Sequence, residues 1–171
     1  MTDHDAVRAR LSRLLVEAEV EVSALDRIAA ELAACARDLA LAEPARATLA
    51  LVALDLHDYF TAAEVLFERI ARALDGDVPV GQDSHRALVE QMAAEIPSVR
   101  PALLDPPLRA WLHELRAFRH VVRHAYGTPL RPDRLRELVG ELERHHPALR
   151  AATDRLLEHV TRIRAALDPP G

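Results

Sequence analysis

The chain has 171 residues, half of them apolar and 29% charged, with a net charge of −5. That is enough chain for one domain with its own core, and the balance excludes a disordered protein. It also excludes nucleic-acid binding through overall charge, so such a role must rest on a local patch. All 22 basic residues are arginine, and aromatic residues make up only 4%. Ala and Leu fill the apolar positions instead, which favours helices over strands. The single cysteine, Cys35, has no internal partner for a disulfide; it reads as a core position in a reducing, cytoplasmic setting. No run of 18 apolar residues occurs, and the N-terminus is polar before any apolar stretch. Neither a signal peptide nor a membrane span is predicted.

Residues 3–41 are predicted as one helix. Leu11, Leu15, Ala18, Val22, Leu25, Ala29, Leu32, Ala36 and Leu39 step by threes and fours, as in a coiled-coil seam. Pro44 ends it. A second helix runs from Ala45 to Leu74, with Leu49, Val52, Leu56, Tyr59, Ala63, Leu66 and Ile70 on one face; Asp75-Gly76-Asp77-Val78-Pro79 stops it. A third starts at Asp83 or Ser84, either of which can cap, and reaches Ile96. In the fourth, Asp105 is the N-cap, Pro106 takes the first helical position, Gly127 offers a left-handed C-cap and Pro129 blocks continuation. A shorter helix spans Pro132 to Glu143, and a last one Pro147 to Leu167. The expected fold is all-α: an up-and-down antiparallel helical bundle with a long N-terminal helix. It is read as one domain over 1–171, with 1–44 an N-terminal extension and 45–167 the core bundle.

The fourth helix breaks its own pattern. Leu108, Leu112, Leu115 and Val122 share a face flanked by Phe118, and Arg119 falls in the middle of it. A guanidinium on an apolar stripe is costly unless paired; Asp55 and Asp58 are candidate partners. Such conflicts mark functional or interface positions. A second stripe carries His113, His120 and His124, flanked by Arg109 and Arg116. From Arg109 to Arg131 there are five arginines (109, 116, 119, 123, 131) against one acid, Glu114. An acidic chain thus carries a local basic patch with three histidines.

The segment Arg119-His120-Val121-Val122-Arg123-His124-Ala125-Tyr126 reads Arg-x4-His-x-Tyr. Arg-x4-His alone is expected about once by chance in a chain of this composition; adding a Tyr at the right offset lowers that to about 0.01. The segment resembles the motif of HepT-type toxins, in the HEPN class of helical ribonucleases. Leu56-His57-Asp58-Tyr59-Phe60, Phe67-Glu68-Arg69-Ile70-Ala71, Ser84-His85-Arg86-Ala87-Leu88 and Leu115-Arg116-Ala117-Phe118 extend the resemblance over about residues 46 to 165. His120 stands where many such motifs have Asn.

The resemblance implies a metal-independent endoribonuclease toxin of a type VII-like toxin–antitoxin system, needing no cofactor. Arg119 and His124 would be catalytic, with His120, Arg116 and Arg123 supporting RNA binding. The ribose 2′-hydroxyl attacks the adjacent phosphate. A histidine exchanges protons near neutrality, and an arginine fork holds the developing charge. Tyr126 would accept AMP from a cognate MntA-like nucleotidyltransferase antitoxin, placing phosphate beside Arg119 and Arg123. Positions 119 and 124 lie about 140° apart on an ideal helix, and the homodimer typical of the family would bring two motif-bearing ends together. The alternative is a non-catalytic HEPN bundle that serves as binding partner of a nucleotidyltransferase. A di-iron bundle enzyme would need two Glu-x-x-His motifs; only Glu143-Arg144-His145-His146 is present, and it reads as a solvated turn beside Pro147. The long helices argue against a helix-turn-helix DNA reader.

Overall fold

A computed structural model describes the backbone of residues 3–124 and 130–167, and the side chains of 4–119 and 130–167. The expected Gly127 cap and Pro129 stop lie outside the described residues. Five helices follow in order: α1 (Asp3–Leu39), α2 (Arg46–Ile70), α3 (Ser84–Ala93), α4 (Pro106–His124) and α5 (Pro132–Ala166). Among the described residues there is no strand, only an isolated bridge between Ile96 and Arg100. No helix among them is long and apolar enough to cross a membrane.

α1 lays its seam on α2 and α5. Leu11, Ala18, Val22, Leu25, Leu32 and Leu39 are buried as the spacing predicts. Leu14 and Ile28 take the two buried places expected for Leu15 and Ala29, which pack at the margin of the core. Ion pairs fix the directions. α2 begins at Arg46, shortly after α1 ends at Leu39, and its far end lies back at the middle of α1, where Glu17 and Glu21 hold Arg69. Arg136, early in α5, donates to the carbonyls of Leu39 and Leu41 at 2.8 and 2.7 Å. α1 is therefore antiparallel to both neighbours.

α2 is the centre of the bundle. Beyond its expected face, Ala53, Phe60, Ala62, Glu64 and Phe67 are also buried, so two adjacent faces are covered. Phe60 and Phe67 are wholly buried, and each such side chain contributes about 1.5–3 kcal/mol of apolar burial. The helix widens into a π-helical turn over Ala71–Asp75. It closes on Gly76, whose φ of 80° needs a residue without Cβ strain and whose N–H donates to the Ala71 carbonyl at 2.9 Å.

An arginine clasp follows. Arg100, in the α3–α4 connection, donates from Nε and Nη2 to the two Asp75 carboxylate oxygens at 2.7 and 2.8 Å. Its other N–H groups reach the carbonyls of Gln91, Ala94 and Pro101. All five donors of the fork are used.

Two sequence expectations are corrected. α3 ends at Ala93, not Ile96, and Asp83 precedes it without a side-chain cap. The two helices expected around Pro147 are one, α5, with Pro147 inside it. Proline removes one backbone hydrogen bond, but Leu142 and Leu149 on either side are both buried in the common core, and that packing carries the helix through. Asp105 does cap α4, accepting from the Leu108 N–H at 2.9 Å.

Candidate functional site

Arg119 projects from α4 toward the middle of α2, where its guanidinium stands 5.8 Å from the Phe60 ring centroid. Its Nη1 donates to Glu64 Oε2 at 2.7 Å, and the side chains are only 15% and 7% exposed. The charge on the apolar stripe is therefore paired, but with Glu64 rather than with Asp55 or Asp58. The other Glu64 oxygen, Oε1, pairs with His85 Nδ1. Both nitrogens of the His85 ring lie within 3.5 Å of Arg119 Nη1. Three helices thus deliver a carboxylate, an imidazole and a guanidinium to one point.

Burial pushes the Glu64 carboxyl above the usual carboxylate range, and Arg119 and His85 pull partly against it. Arg119 spends Nη1 on this pairing. Its Nε is buried with no hydrogen-bond partner among the described residues, and the same is true of Arg116 Nε, Trp111 Nε1 and His113 Nδ1. Among the described residues, four buried nitrogens on α4 lack partners, where most such groups in a folded protein are satisfied. The Nε edge of an arginine is part of the fork that grips carboxylate or phosphate.

The basic patch read from the linear sequence is weaker in the fold. Glu90 on α3 holds His113 Nε2 at 2.7 Å and Arg109 at 3.4 Å, while Arg134 reaches Glu114 at 3.2 Å. Glu90 is an acid the local count lacks, whereas Arg134 of α5 occupies Glu114, the one acid within it. Of the sequence-predicted site residues, Arg119 and Arg116 are described, both half-buried on α4. The side chains of His120, Arg123 and His124, and all of Tyr126, lie outside the described residues. Nothing in the sequence alone assigns Glu64 or His85 to this site. Ser84-His85 sits in a stretch that carries the family resemblance, and nothing in its spacing points to Arg119.

The Glu143–His146 segment is no solvated turn. It is helical, the His145 ring stacks on Trp111 at 5.3 Å, and the His146 Nδ1 shares a 2.9 Å hydrogen bond with the buried Tyr59 hydroxyl. Among the described residues no group of three or more His, Cys, Asp or Glu is arranged to hold a metal ion.

Fold and cluster together define a helical-bundle protein whose fourth helix carries a half-buried, carboxylate-anchored arginine in its last two turns. The chain belongs to the HepT-like family: the model of that family, described as HepT-like protein, matches residues 51–160. The match spans α2 to α5 and leaves α1 outside. No curated protein and no solved structure matches the chain.

Proposed function

We propose that this chain is the toxin of a HepT-type toxin–antitoxin pair, a cytoplasmic endoribonuclease that works without a metal. The observation that carries the reading is the state of Arg119. Glu64 fixes one side of its guanidinium through Nη1, and 15% of the side chain stays open to solvent beside the half-exposed His85. A preorganised donor of this kind suits the charge that develops on a phosphoryl oxygen.

In this reading Arg119 holds the scissile phosphate and His124 exchanges a proton with the reacting oxygens. Arg116, Arg123 and His120 contact the flanking backbone of the RNA. A homodimer sets two α4 ends together and overcomes the angular separation of Arg119 and His124 within one helix. A nucleotidyltransferase antitoxin transfers AMP to Tyr126, which sets a negative phosphate against the arginines that RNA needs.

One observation favours the second reading, a non-catalytic HEPN partner of a nucleotidyltransferase. Glu64 neutralises Arg119, as a purely structural ion pair would. The two separate on incubation of the unmodified chain with cellular RNA in EDTA. Cleavage lost in Arg119→Ala and His124→Ala supports the ribonuclease; intact RNA with a folded, unmodified chain supports the partner.

A further inference from the structure

An in-line attack by the 2′-hydroxyl needs two proton transfers, one on each side of phosphorus, so one imidazole cannot serve both within a step. The Arg119 guanidinium offers donors and no acceptor for a proton. Glu64 lies behind it, with its side chain 7% exposed. The imidazole that the fold sets against the Arg119 guanidinium comes from α3: His85, with both ring nitrogens within 3.5 Å of Nη1. Its Nδ1 faces the Glu64 carboxylate, and its side chain is 45% exposed, open to a substrate. A carboxylate against Nδ1 favours the proton there and leaves Nε2 with its lone pair.

We propose that His85 is the general base of this site, taking the 2′-hydroxyl proton on Nε2, with Glu64 as the residue that positions it. The inference rests on the ribonuclease reading and assigns the second proton-handling group within it. The 2′-oxygen gives its proton to His85 Nε2 and forms a bond to phosphorus. The bond from phosphorus to the 5′-oxygen breaks with its electron pair on that oxygen, which takes a proton from His124. The products are a 2′,3′-cyclic phosphate and a 5′-hydroxyl. His85 leaves protonated and His124 neutral, and exchange with water restores both. His85 and His124 thus have opposite duties, and Arg119 holds the phosphate.

The test compares two substrates on the full-length chain: an RNA oligonucleotide, and uridine 3′-(p-nitrophenyl phosphate), whose leaving group departs without a proton. His85→Ala and the closer-shaped His85→Gln lose about 10²- to 10⁴-fold on both substrates, the range for a missing general base. His124→Ala loses activity on RNA and recovers most of it on the nitrophenyl ester. Added imidazole restores part of the His85→Ala rate, which a structural role would not allow. Glu64→Gln lowers kcat with little change in KM. Near-wild-type cleavage of RNA by folded His85→Ala overturns the assignment while leaving the ribonuclease standing. So does recovery of that variant on the nitrophenyl ester, which would make His85 the acid. A wild-type chain that cleaves neither substrate overturns the ribonuclease reading itself, and this inference with it.

Discussion

Arg119 on α4 donates to Glu64 on α2 at 2.7 Å, and neither side chain has more than 15% of its surface in water. Removing one partner of such a pair strands the other charge, which costs more than the pair itself contributes. Glu64→Gln and Arg119→Met are each expected to lower stability by about 2–4 kcal/mol in urea denaturation. The double variant should recover much of that, because no unpaired charge remains. Strictly additive losses would mean that the two residues are not coupled.

The Arg100 clasp makes a sharper distinction. Arg100 and Asp75 have side chains 0% and 3% exposed, and the fork satisfies three carbonyls besides the carboxylate. Lysine keeps the charge but offers three donors from a single point. Arg100→Lys is expected to cost at least about 2 kcal/mol, and Arg100→Met about 3–5 kcal/mol. Thermal melts of both variants check this. A neutral Arg100→Lys would show that charge alone holds the α3–α4 connection to the end of α2.

His146 gives the fold a pH dependence. Burial holds its pKa below the ordinary 6.5; Arg150 adds to the effect and Asp26 works against it. Tyr59, whose pKa burial raises, keeps its proton and donates to Nδ1. That fixes the His146 proton on Nε2, 3.2 Å from Asp26. As pH falls, the unfolded chain takes up a proton at this site before the folded one. The contribution is therefore fully present above about pH 6.5 and is lost as pH drops through the lower folded value. Denaturant midpoints of the wild type should fall from pH 7.5 to pH 5 more steeply than those of His146→Gln. Equal slopes would remove His146 from the account.

The regulatory half of the proposed function predicts a covalent change. After co-expression with a cognate nucleotidyltransferase, the chain should gain the mass of one or more adenylates, and Tyr126→Phe should gain none. Adenylate on Tyr126→Phe would place the acceptor elsewhere.

Much of this protein is legible in its sequence, and the illegible parts have physical causes. The threefold and fourfold steps of Leu11 to Leu39 gave the α1 seam within one residue, and Asp105-Pro106 gave the start of α4. Arg119 was legible as a charge that the apolar stripe could not tolerate alone. Its partner was not, because Asp55, Asp58 and Glu64 all lie on α2, and the register of α4 against α2 decides which of them it meets. His85 reaches the same point through the packing of a third helix, which no spacing rule encodes. Pro147 signals a break because local propensity favours one there; the buried Leu142 and Leu149 override it.

In the proposed function the 2′-hydroxyl of the RNA attacks the adjacent phosphate. The most direct test is end-group analysis of RNA incubated in EDTA with the wild-type chain, shown unmodified at Tyr126 by intact mass. The expected products carry 2′,3′-cyclic phosphate and 5′-hydroxyl ends, absent with Arg119→Ala and absent where the scissile nucleotide is 2′-deoxy. Intact RNA, or 3′-hydroxyl and 5′-phosphate ends, would contradict it.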